Sequence, residues 1–145
     1  VGLVKTVLIY AGGLFGGSAA VLLFNWNQPT LGASGAVLGL AGGLAGILWA
    51  RGINITQTSL GGIFLLNLAL PLFTNISFWG HFGGIVGGFA VAMAMATIDK
   101  ARSTSAPSMQ VDGGPSPALL VGGLVVVGFA VLAVVGAHLE LDSIL

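Results

Sequence analysis

The chain has 145 residues, of which only 4 are Lys or Arg and 4 are Asp or Glu; 25 are glycine and 56% are hydrophobic. Soluble domains carry about 25% charged residues, and a chain with 6% cannot cover a water-facing surface. Disorder is excluded by the same hydrophobicity, and zero net charge argues against a nucleic-acid partner. No cysteine is present, so there is neither a disulfide framework nor thiol chemistry. Composition therefore points to a polytopic membrane protein. The sequence opens on Val1, already close to an apolar run, and no signal peptide is expected before it. It reads as a piece of a longer chain that has lost its N-terminus.

A helix needs roughly 20 apolar residues to cross a bilayer, and five stretches qualify as candidates. In chain order they run from about Thr6 to Phe24, Ser34 to Ala50, Thr58 to Phe73, Trp79 to Ile98 and Ala118 to Ala137. The third is short, with Pro71 near its end. Arg102 to Pro117, rich in Pro, Ser, Thr and Gly, is expected to be a flexible loop. Alternate crossing puts Lys5, Arg51, Lys100 and Arg102 on one side and no basic residue on the other. The positive-inside rule makes the basic side cytoplasmic. Trp26, Trp49 and Trp79 fall at span ends, where an aromatic belt sits. Glycines four apart recur: Gly12/Gly16, Gly13/Gly17, Gly35/Gly39, Gly42/Gly46, Gly80/Gly84, Gly83/Gly87 and Gly84/Gly88. Such faces let helix backbones approach closely, and a tight bundle is expected.

An ionisable side chain inside a bilayer is costly and marks a functional candidate. His81 is the only residue within a predicted span that ionises near neutral pH; its alternative role is a helix-end histidine reaching the headgroups. Ser34 opens the second span within Gly32-Ala33-Ser34-Gly35, where the plain alternative is an N-cap. Spans two and four both start on the non-basic side, so Ser34 and His81 share one end of the bundle. Gly35 and Gly39 flank one, and Gly83, Gly84 and Gly87 flank the other. A serine hydroxyl needs a base to take its proton, and a neutral histidine can serve and later protonate a leaving amine. A helix N-terminus at Ser34 adds free amides and a positive dipole end for a developing oxyanion. No carboxylate lies near on that side apart from Glu140 and Asp142, past the last span, so the expected arrangement is a dyad. Asn67 is read as a helix–helix hydrogen bond or a gate contact. His138 is read as a solvated interfacial group, and Met93 and Met95 as packing or lipid-facing residues.

Gly32-Ala33-Ser34-Gly35-Ala36 opening one span and His81-Phe82-Gly83-Gly84 opening the span after next resemble the rhomboid intramembrane serine proteases. The glycine-rich first span, Tyr10-Ala11-Gly12-Gly13 through Gly16-Gly17-Ser18, and Trp49-Ala50-Arg51-Gly52 are similar as well. The resemblance covers roughly residues 3 to 100. It implies an all-α, rhomboid-like transmembrane bundle. Residues 1–100 would form a partial catalytic core of four spans, 101–117 a cytoplasmic linker, and 118–145 an extra span and tail. It implies Ser34 as nucleophile, His81 as general base, and the Ser34 backbone amide in the oxyanion hole. Gly32, Gly35 and Gly84 would allow close packing at the site, and span three would border the side where a substrate helix enters. The expected activity is endopeptidase cleavage of transmembrane protein substrates, with no metal and no cofactor. The expected setting is the lipid bilayer of a bacterial inner membrane, with the site towards the outer face.

Three departures from the family's pattern stand out. The second core helix, which supplies a His and an Asn for the oxyanion, would lie before Val1; Asn25, Asn27 and Gln28 are not assigned that role. Leu38 stands where an aromatic residue often stacks on the histidine, and Gly80 where alanine is usual. Leu38 and the missing helix keep open a second reading, an inactive rhomboid-like protein that binds membrane helices. A small transporter is disfavoured, because polar groups cluster at one end and are not spread along several spans.

Overall fold

The computed structural model describes residues 2–24, 33–104 and 116–144. Helices α1 (Leu3–Phe24), α2 (Ser34–Ala50), α3 (Ser59–Ala69), α4 (Phe78–Thr104) and α5 (Pro117–Ile144) account for most of them. Short 3₁₀ turns at Ile55–Gln57 and Leu70–Leu72 flank α3. The described residues contain no strand, and the architecture is an all-α bundle of apolar helices. By length and composition α1, the Phe78–Ala101 part of α4 and the Pro117–Leu139 part of α5 can each cross a membrane. The other two expected spans are shorter. α2 has 17 residues, about 25 Å of rise against about 30 Å of hydrocarbon.

The second span begins and ends where the apolar pattern puts it. The fourth runs further: α4 continues through Arg102 to Thr104, so the helix extends into the stretch read as a loop. The remainder of that loop, residues 105–115, lies outside the described residues, as do Gly32, Trp26, Asn25, Asn27 and Gln28.

Glycine explains how α1, α2 and α4 meet. A methyl group added to Gly13 would stand 2.6 Å from the Gly39 Cα, and one on Gly16 the same distance from the Gly83 carbonyl oxygen. One on Gly17 would stand 2.8 Å from the Gly80 carbonyl oxygen. Added carbons on Gly84 and Gly88 would run into the carbonyls of Gly35 and Gly39. The pairings fix the directions. Gly35–Gly84 and Gly39–Gly88 ascend together, so α2 and α4 are parallel. Gly12 meets Gly87 and Gly17 meets Gly80, so α1 is antiparallel to both. Lipid offers no hydrophobic drive for helix association, and backbone-to-backbone contact supplies dispersion instead.

A small apolar cluster of Ile9, Val91, Ala92, Met95 and Ala118 joins α1, α4 and the start of α5. α5 otherwise lies on the outside of α1 and α4, with large exposed residues such as Leu124 and Val127. α3 is held more loosely still, with Leu60 as its only buried residue. Lys5, Arg51, Asp99 and Lys100 gather at one end. Lys5 forms an ion pair with Asp99, and a cavity of about 720 Å³ there is lined by Lys5, Arg51, Asp99 and Lys100 among others. At the opposite end the α1 C-terminus meets the α4 N-terminus, where Phe24 and Trp79 stack at 4.5 Å.

Candidate active site

Helix α4 starts with a cap. Ser77 is buried; its Oγ accepts a hydrogen bond from the Gly80 amide at 3.1 Å, and its carbonyl accepts from the His81 amide at 3.2 Å. An N-cap serine satisfies an otherwise orphaned first-turn amide, worth about 1 kcal/mol. The sequence reading passed over Ser77, although a serine just before an apolar run is a recognised start signal. Ser77→Ala is expected to lower unfolding stability by about 1 kcal/mol. Thermal unfolding in detergent would measure it.

His81 sits in the first turn of α4 and is 4% exposed. Its Nδ1 lies 2.9 Å from the backbone carbonyl oxygen of Asn67, across from α3. A carbonyl can only accept, so Nδ1 donates, and in the neutral ring the lone pair is then on Nε2. Nε2 is buried and has no hydrogen-bond partner among the described residues. A buried polar atom left unpaired costs about 1–3 kcal/mol, and such an atom calls for a functional account. Asn67 enters by its main chain alone. Its side-chain amide donates to the Ile63 carbonyl at 2.8 Å, within its own helix, and so does not bridge two helices.

Ser34 is the first residue of α2 and is exposed; Ala33 occupies the cap position without a side-chain bond. Ser34 therefore does not act as the helix cap. The ladder of α2 opens with the Val37 amide donating to the Ala33 carbonyl at 2.9 Å. The amides of Ser34, Gly35 and Ala36 precede it and have no intrahelical acceptor. Next to Ser34, a methyl group on Gly35 would stand 3.1 Å from the Gly80 carbonyl oxygen. The backbones flanking Ser34 and His81 thus touch. Among the described residues no hydrogen bond joins the Ser34 hydroxyl to His81 Nε2. Leu38, one turn below Ser34, is buried. Phe78 and Phe82 stack at 5.9 Å on the exposed face of the α4 start. No group of three or more His, Cys, Asp or Glu among the described residues is arranged to hold a metal.

The helices and this polar end describe a helical membrane bundle with a serine and a histidine at one rim. Comparison with known proteins makes the class specific. The sequence model of the Rhomboid domain matches residues 1–98. RHOMBOID-like protein 4 of Arabidopsis thaliana is 33% identical over 99 residues, covering 65% of this chain and 25% of the relative. RHOMBOID-like protein 1 of the same plant is 36% identical over 93 residues, 61% of this chain and 24% of the relative. Rhomboid protease GluP of Bacillus subtilis (strain 168) is 33% identical over 95 residues, 63% of this chain and 18% of the relative. No solved structure gives a match. The chain belongs to the rhomboid family, and it spans about a quarter of the length of the first two of these relatives.

Proposed function

We propose that the protein is an intramembrane serine endopeptidase that cuts transmembrane protein substrates with a Ser34–His81 dyad. The observation that carries this reading is the state of His81. Its Nδ1 is held by a carbonyl, its buried Nε2 has no partner among the described residues, and the helix that carries it meets the start of α2 where Gly80 faces Gly35. Nε2 takes the Ser34 proton as the hydroxyl oxygen attacks the scissile carbonyl, and returns it to the leaving amine. Hydrogen bonds at catalytic pairs often close only when substrate is bound. The Ser34 amide, at the positive end of α2, donates to the oxyanion.

The orientation follows from charge. With Lys5, Arg51 and Lys100 on the cytoplasmic side, the dyad opens to the opposite face, the outer one in a bacterial inner membrane. Arg51 at the headgroups, with α2 about 5 Å shorter than the hydrocarbon, sets Ser34 below the bilayer surface. A substrate helix hides its carbonyls in its own hydrogen bonds, so cleavage requires local unwinding. The loosely held α3 is the side by which it enters.

A second reading keeps the fold and removes the chemistry: a rhomboid-like protein that binds membrane helices without cutting them. The absent Ser34–His81 hydrogen bond and the aliphatic Leu38 favour it. A fluorophosphonate probe applied to the full-length chain in membranes separates the two. Labelling of wild type, lost in Ser34→Ala and in His81→Ala, is the expected result. A folded wild-type protein that takes up no probe would count against the protease and favour the non-cutting reading instead.

A further inference from the structure

The carbonyl that holds His81 is open for a reason written four residues later. In a continuous helix the Asn67 carbonyl would accept the amide of residue 71. Residue 71 is proline, which has no amide proton and whose ring pushes against the carbonyl of the residue four before it. α3 accordingly ends at Ala69 and passes into the Leu70–Leu72 3₁₀ turn, with the Leu70 amide donating to Leu66. The Asn67 carbonyl is left without a helical donor, and the imidazole Nδ1–H of His81, 14 residues on, donates to it at 2.9 Å.

We infer that Pro71 is a positioning residue for His81: by withholding an amide proton it reserves the Asn67 carbonyl for the imidazole and so fixes the tautomer whose base is Nε2. The role rests on the dyad proposed above, but the tautomer itself can be read without catalysis. Two features sharpen it. Asn67 acts through its main chain, so the device resides in the proline and not in the asparagine amide. The carbonyl also belongs to α3, which buries only Leu60. Displacement of α3 by an incoming helix would release Nδ1, so the set of the base depends on where that helix stands.

The test is to restore the missing donor. In full-length Pro71→Ala the new amide competes for the Asn67 carbonyl and lets α3 continue. Turnover is expected to fall on the order of 10- to 100-fold, as when an outer partner that orients a histidine is lost, with KM little changed. Nitrogen NMR of labelled histidine should show one neutral tautomer in wild type, protonated at Nδ1, and a mixture in Pro71→Ala. Replacing Pro71 by lactic acid, the ester analogue of alanine, removes the proline ring yet again supplies no N–H. It should restore both turnover and the single tautomer. The inference is overturned if Pro71→Ala keeps the wild-type tautomer, or if the lactic acid variant is as impaired as alanine. A wild type with the Nδ1–H tautomer but no hydrolysis would sink the protease reading and leave the positioning role standing.

Discussion

Gly84→Val is expected to drive α2 and α4 apart and to remove function together with stability. An added Cβ at Gly84 would run into the Gly35 carbonyl group and lie 2.8 Å from both the Gly35 carbonyl carbon and Cα. These are backbone atoms inside a helix, so no rotamer change can make room. Overpacking of a rigid contact costs about 3 kcal/mol at the upper end of the usual range, and each further methyl of valine adds to it. Gly84→Ala should show a smaller share of the same loss. Gly123→Ala in α5 is the contrasting substitution, since nothing lies within 4 Å of its added carbon. It should be neutral or gain up to about 1 kcal/mol from helix propensity. Thermal unfolding in detergent measures the series. Equal stability of Gly84→Val and wild type would mean that the two helices do not pack as described.

Ser34→Ala and His81→Ala are each expected to lower hydrolysis of a transmembrane reporter substrate on the order of 10⁴-fold or more, and the double variant little further. Groups that act as one unit lose nearly everything with the first deletion. Stability should divide differently. Ser34 is exposed and makes no side-chain bond with a described residue, so Ser34→Ala should unfold like wild type. His81→Ala leaves the Asn67 carbonyl without its donor and should cost about 1–3 kcal/mol. Losses that multiply in the double variant would argue against a shared proton transfer.

The large features were legible because the bilayer makes them so. Apolar length located every helix, and α2 matched to the residue, since Gly32-Ala33 before it and Arg51-Gly52 after it break the apolar run. α4 ran past its predicted end because Asp99, Lys100 and Arg102 stop an apolar count but not a helix. The glycine pairs announced close packing, though not which pairs would meet; that depends on helix direction and rotation, which spacing alone leaves open. At the site, residue types pointed to Ser34 and His81. The Asn67 carbonyl was out of reach, because sequence patterns speak through side chains and this contact is main chain. Pro71 was visible but was read only as the end of a span.

Glycine at so many contacts also bears on how the bundle assembles. In water, a glycine inside a helix is penalised because a loose chain must be ordered. In a bilayer each span is already helical before it finds its neighbours, so that ordering precedes docking. Gly13, Gly16, Gly17, Gly35, Gly39, Gly84 and Gly88 then bring no side chains to immobilise when α1, α2 and α4 close. The contacts close backbone against backbone, so a bundle joined through them should open as a unit, without loosening by degrees.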